Sequence, residues 1–190
     1  MPSPVRALLD ANVLYSNHLR NLLLQLAQNE VFIAKWSTLI EDERLRNVEP
    51  PTRDHIEART LPLIRDYFPS ALVSVPTPDR VVGGTDPKDR HVASAAIELA
   101  PCVLVTSNER HFDAEALAAL GVKVQSPDDF LTERFVENPD FVEAATREAA
   151  ANLTRTAPSW DDYLVILEEQ QLLPKFVACL RGWRAQHDEA

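Results

Sequence analysis

Cysteine is scarce in this chain: Cys102 and Cys179 are the only two in 190 residues, and they lie far apart. A disulfide framework or a Cys/His zinc site needs ligands at closer, repeated spacings, so neither is expected. The pair reads instead as two small thiols in a reducing compartment. Long hydrophobic runs are missing too, and nothing approaches the ~18 consecutive apolar residues of a membrane span. The short apolar stretch near the N-terminus is briefer than a signal-peptide core and ends at an acid. A cytoplasmic protein without membrane association is the expectation. Positive charge is in deficit, with a formal net charge of −10. That argues against broad non-specific nucleic-acid binding, which relies on a basic surface. It remains compatible with a nuclease, because a carboxylate cluster that holds a divalent cation contributes several of those charges. Gly83-Gly84 is not followed by the Lys-Ser/Thr of a phosphate-binding P-loop, and no G-x-S-x-G nucleophile elbow occurs. There is no internal repeat and no low-complexity segment.

What is present is an alternation of short apolar runs with helical periodicity. Residues 5–9 read as a buried strand that ends at Asp10. Residues 12–28 read as one helix with Leu19, Leu22, Leu23 and Leu26 on a single stripe. Residues 32–36 are ambiguous. Ser37 is a suitable N-cap for a helix that runs to about Asn47. Residues 53–67 are helical and bent near Pro62. Residues 71–75 look like a second strand, residues 76–87 a loop, and residues 89–100 an alanine-rich helix. Further strands are expected at 103–105 and 122–124, with a helix between them that Gly121 stops. Ser126-Pro127 opens another helix. This order predicts an α/β fold, three layers deep, with a central parallel sheet of four to five strands. The strands stop after about residue 136, and three helices follow. The expected organisation is therefore a domain over residues 1–136 and an all-α C-terminal extension over residues 137–190.

Three acids stand out against this frame. Asp10 directly follows a strand, and open parallel sheets place ligand sites at the carboxyl ends of their strands. Glu43 shares a helix face with Leu39 and Ile40 and is expected to point inward, where a carboxylate needs a cation or a donor. Its neighbours Glu41 and Asp42 fall off that stripe and read as solvated surface. Asp89 opens the helix whose inner face carries Val92, Ala96 and Leu99. Asp86, just upstream of Pro87, fits a helix cap better. Carboxylate oxygens from three separate segments suit Mg²⁺ or Mn²⁺.

The segments "LLDANVLYS", "WSTLIEDE", "DPKDRHVASAA", "LVTSNERHF" and "SPDDFL" resemble, in order and spacing, the motifs of PIN domains. They are most similar to VapC-type toxins of bacterial toxin–antitoxin pairs, and the tail resembles the extension of a larger subgroup of these toxins. The resemblance implies that Asp10, Glu43 and Asp89 are catalytic metal ligands and that Asn12 and Thr106 shape the site. Asn108 is grouped with these two. It also implies Mg²⁺- or Mn²⁺-dependent endoribonuclease activity on RNA, with metal-activated water as the nucleophile, and a cognate antitoxin as partner. Self-association is left open. In one respect the chain departs from the family. The residue before Phe112 is usually an acid and here is His111, so the fourth acid is missing, supplied by Asp113, or replaced by Asn108 or His111 as a weaker ligand. Arg44, Arg46, Lys88 and Arg90 flank the motif acids and are the candidates to contact the RNA backbone. The alternative function is a degenerate PIN fold that binds RNA or protein without cleaving.

Overall fold

The structure is a computed structural model that describes residues 4–187 apart from 47, 76, 154 and 158. In chain order its elements are β1 (Arg6–Leu9), α1 (Ala11–Tyr15), α2 (Asn17–Gln28), β2 (Ile33–Lys35), α3 (Thr38–Arg46), α4 (Pro50–His55), α5 (Leu61–Tyr67), α6 (Arg90–Leu99), β3 (Cys102–Val105), α7 (Ala114–Ala118), β4 (Val122–Gln125), α8 (Pro127–Glu137), α9 (Pro139–Ala151), α10 (Trp160–Val165) and α11 (Pro174–His187). By packing they form two compact units. One comprises the chain up to Tyr15 together with Phe32–Gln125; the other comprises Ser16–Val31 and the chain from Ser126 onward. Among the described residues, no helix is long and apolar enough to cross a membrane.

The first unit is built on a four-stranded parallel sheet in the order β2-β1-β3-β4. Leu8 pairs with Lys35 on one side and Leu104 on the other, and Leu104 pairs with Val124. Ala7, Leu8, Leu9, Leu104 and Val105 are buried. That is why these strands read as continuous apolar runs rather than alternating ones. Helix α6 packs on β1 and β3, α7 on β4, and α3 on α1 and α6. Ala93, Ala95 and Ala96 are all buried in α6, and such small side chains allow close approach.

Two expectations are corrected, and the bend expected near Pro62 is found. Residues 71–75 form no strand: Leu72 makes a single parallel bridge to Trp36. The partner strand there, β2, is itself only three residues long, so the pairing has no length over which to continue. The ambiguous stretch around residue 34 is the one that enters the sheet. The helix expected over residues 12–28 is broken at Ser16, whose side chain accepts from the Leu19 N–H and caps α2. A π-helical turn over Ile56–Thr60 joins α4 to α5, immediately before Pro62, which has no N–H to donate to the preceding turn. Asn47 and Pro76, where a helix was expected to end and a loop to begin, lie outside the described residues.

The second unit is all helical. Leu19, Leu22, Leu23 and Leu26 of α2 are buried, and α2 packs on α9, α8 on α9 and α11, and α10 on α9. Phe135 and Phe176 meet edge-on with centroids 6.3 Å apart. Phe141 and Leu172, whose helical spacing suggests burial, are instead exposed. Leu172 has a left-handed backbone, φ 56°, in the turn between α10 and α11.

Asp128 closes the start of α11. Its Oδ1 accepts from the Phe176 N–H at 2.9 Å and its Oδ2 from the Lys175 N–H at 3.1 Å. The first N–H groups of a helix have no partner within it, and here a buried carboxylate from α8 supplies one. Asp128→Ala is expected to destabilise the fold by about 1–3 kcal/mol, read as a lower urea midpoint. An unchanged midpoint would contradict this capping role.

Candidate metal centre

Asp10 is the first residue beyond β1, and its N–H still donates to the Val105 carbonyl of β3 at 3.1 Å. Asp10 is 3% exposed, and both of its carboxylate oxygens are hydrogen-bonded. Oδ1 accepts from the Ala11 N–H at 2.6 Å, and Oδ2 accepts from the Thr106 hydroxyl at 2.7 Å and the Asn12 amide at 2.5 Å. Asn12 also donates to Thr106 Oγ1 and accepts from the Ser107 N–H, while the Asn108 N–H donates to Thr106 Oγ1. Residues at the ends of two neighbouring strands thus lock one carboxylate in place. Burial pushes the Asp10 carboxyl up to about 6; the Thr106 hydroxyl opposes this, and the charges of Glu43 and Asp89 push it further upward.

Glu43 lies on α3, and its Oε2 is 3.0 Å from His91 Nε2. His91 Nδ1 in turn sits 3.0 Å from the Lys88 carbonyl. That carbonyl can only accept, so Nδ1 carries a proton and Nε2 is the atom turned to Glu43. This imidazole holds the Glu43 carboxyl below its ordinary range, against the effect of partial burial. Glu43 is half-buried; the deeply buried acid of α3 is Glu41. The reading of Glu41 as solvated surface is therefore corrected. The inward stripe of α3 runs through Ile40, Glu41, Arg44 and Leu45, and Glu41 accepts from Trp36 Nε1 at 2.8 Å and from Arg65 at 2.5 Å. Arg44 shares that stripe and is buried, which removes it from the cations available to RNA. Arg46 and Lys88 are exposed and Arg90 is half-buried.

Asp89 ends the short 3-10 turn Pro87–Asp89 and is buried. Its Oδ2 lies 3.0 Å from His111 Nδ1. Burial raises the Asp89 carboxyl, and His111 and Lys88 counteract it. Asp86 caps the turn, as its position suggested, by accepting from the Lys88 N–H at 3.1 Å. It also joins a cluster absent from the sequence reading: one ligand atom each of Asp86, Asp89 and His111 lie within 4.8 Å of one another.

Asp113, the other candidate for a fourth ligand, is committed elsewhere. It caps α7 by accepting from the Ala116 N–H at 3.0 Å, and its second oxygen accepts from the Gly84 N–H at 2.9 Å. Those two bonds hold its carboxyl below the ordinary range. Gly83 makes the contact possible, since a Cβ there would sit 2.2 Å from Asp113 Oδ2 and its φ is +47°. The acids lie away from the apolar cavity of about 690 Å³ lined by Arg6, Cys102 and Val122. Those residues are the first of β1, β3 and β4, so the cavity opens at the other ends of the strands.

Residues 127–182 match the family model described as VapC50 C-terminal domain. Helices α8, α9 and α10 and most of α11 fall within the match. A stretch of 60 residues is 42% identical to the curated protein named "Putative ribonuclease VapC50" from Mycobacterium tuberculosis, covering 32% of this chain and 33% of that protein. The chain thus aligns with about a third of that relative's length. No solved structure matches. The resemblance to VapC-type toxins with a C-terminal extension accordingly rests on a matched domain as well as on motifs.

Proposed function

We propose that this chain is a Mg²⁺- or Mn²⁺-dependent endoribonuclease, the toxin of a type II toxin–antitoxin pair acting in the cytoplasm. Residues 1–136 form its nuclease portion and residues 137–190 the extension. The observation that carries this reading is Asp10: a buried carboxylate at a strand end, raised to about 6, that feels the charges of Glu43 and Asp89. Three mutually repelling carboxylates, two of them buried, are costly without a cation, and an all-oxygen set of this kind suits Mg²⁺ or Mn²⁺. A bound cation would supply charge neutralisation at the scissile phosphate and a water acidified enough to attack it.

The protein groups have separable tasks. Asp10, Glu43 and Asp89 hold the cation. Thr106 and Asn12 fix the orientation of Asp10, with Asn108 bonding to Thr106 through its backbone. His91 positions Glu43. Arg46, Lys88 and Arg90 provide local positive charge for RNA phosphates on an otherwise acidic molecule. No side-chain nucleophile is required. The name of the relative supports a ribonuclease, and a toxin of this type implies a cognate antitoxin that covers the acids.

The reading is tested by expressing the chain alone in a bacterium. Growth arrest is expected, with relief on co-expression of the protein encoded beside it. Normal growth in cells where the intact chain accumulates would contradict the toxin assignment.

A further inference from the structure

We propose that the apolar cavity at the first residues of β1, β3 and β4 binds a medium-chain carboxylate, its alkyl body on the cavity walls and its charge on Arg6. The proposal stands apart from the nuclease reading, because this cavity lies at the opposite ends of the strands from Asp10 and Thr106. The cavity holds about 690 Å³, inside the range of sites that enclose a small molecule. Its walls include Val103 and Val122 from the sheet and Ala114 and Ala118 from α7. The two alanines, one helical turn apart, share a face of α7. Both are exposed, and Leu117 is the residue that α7 buries. Their short side chains leave open the space beside β4 that longer apolar residues would fill.

The charges at this cavity have one sign. Arg6 and Lys123 line it, and among the described residues no acid does, on a chain whose formal net charge is −10. Arg6 is half-buried, and among the described residues its guanidinium has no hydrogen bond or ion pair. A partly desolvated guanidinium without an acceptor is costly, and a carboxylate can meet it with two parallel N–H···O bonds. Cys102 lines the same cavity and is buried. Its thiol donates to the Ala96 carbonyl at 3.3 Å. Burial pushes that thiol up to about 11, and the Arg6 charge works against the shift. The thiol therefore stays neutral and does not cancel the positive charge, which lies close enough to act on it. Apolar walls with a cation beside them complement a molecule that has an alkyl chain and one anionic end.

The test is titration of the full chain with decanoate, followed by calorimetry, with octanoate and 1-decanol as comparison ligands. Decanoate should bind roughly tenfold more tightly than 1-decanol, the effect of one hydrogen-bonded charge pair. Octanoate, two methylenes shorter, should bind roughly tenfold more weakly than decanoate. Arg6→Gln should weaken decanoate roughly tenfold and leave 1-decanol unchanged, an outcome that a merely disturbed fold would not give. Ala118→Trp fills the cavity from an exposed position and should abolish binding of all three ligands. Ala114→Trp is a second variant of the same kind, and circular dichroism confirms that each is folded. Decanoate that fails to bind the parent, or that binds both folded Trp variants as it binds the parent, would overturn the proposal. So would 1-decanol that binds the parent as tightly as decanoate, or an Arg6→Gln protein that weakens both ligands alike.

Discussion

Asp89→Asn is expected to lower the rate of RNA cleavage by about a hundredfold or more, the order of effect seen when a group that stabilises transition-state charge is removed. The substitution keeps the shape of the side chain and a polar contact to the His111 ring. What disappears is the negative charge proposed to hold a divalent cation together with Asp10 and Glu43. Asp89 is buried at the start of α6, and the neighbouring Asp86 is held as a cap by the Lys88 N–H. Asp113, the nearest acid in sequence beyond His111, is fixed as a cap. The measurement is initial cleavage rate on a structured RNA at saturating Mn²⁺, with circular dichroism to confirm the fold. A variant that cleaves at the parental rate would remove Asp89 from the metal set and, with it, the mechanism proposed here.

The second large effect concerns stability without metal. In the folded chain the Asp10 carboxyl is raised from 3.8 to about 6. Between these values the unfolded chain ionises first, so it binds fewer protons than the folded one and stability falls as pH rises from about 4 to about 6. Above that range the loss is complete. A shift of this size corresponds to at most about 3 kcal/mol. Asp10→Asn removes the charge and keeps an acceptor for the Ala11 N–H or the Thr106 hydroxyl, while the Asn12 amide must turn over to stay bonded. In chelator at pH 8 the variant should therefore be the more stable of the two, by about 1–2 kcal/mol, and the advantage should vanish near pH 4. Adding Mn²⁺ should raise the melting temperature of the parent by mass action and leave the variant nearly unmoved. An Asp10→Asn protein less stable than the parent at pH 8 in chelator would mean that Asp10 is structural, its three carboxylate hydrogen bonds worth more than its charge costs.

The two strand ends that carry Asp10 and Thr106 were legible in the sequence. A strand buried on both faces leaves an unbroken apolar run, and the first polar residue after it marks the sheet edge where ligands sit. Strand β2 was not legible, because three residues around Ala34 carry no period, whereas the longer apolar stretch at residues 71–75 has the look of a strand and makes only one bridge. The break at Ser16 was hidden by leucines that keep helical spacing on its C-terminal side. In α3 the choice between Glu41 and Glu43 turned on Leu39, which is only half-buried. One turn of helix leaves room for either acid to face inward, and the Trp36 and Arg65 partners that decide it come from other elements. The histidines were the least legible. His91 on Glu43 and His111 on Asp89 are pairings across tertiary space, and spacing along the chain carries no trace of them. Asp86 was read correctly as a cap, a local role that concealed its proximity to His111.

The central claim is that acids of this chain hold a cation that drives RNA cleavage, and chelation tests it most directly. Purified full-length chain is incubated with structured RNA in Mn²⁺ or Mg²⁺, then in excess chelator, then with the cation restored, with Asp10→Asn run in parallel. Cleavage by the parent that stops in chelator, returns with the cation and is absent throughout in Asp10→Asn is the predicted result. Cleavage that continues in chelator or in Asp10→Asn, or a folded parent that binds Mn²⁺ and leaves RNA intact, would contradict it.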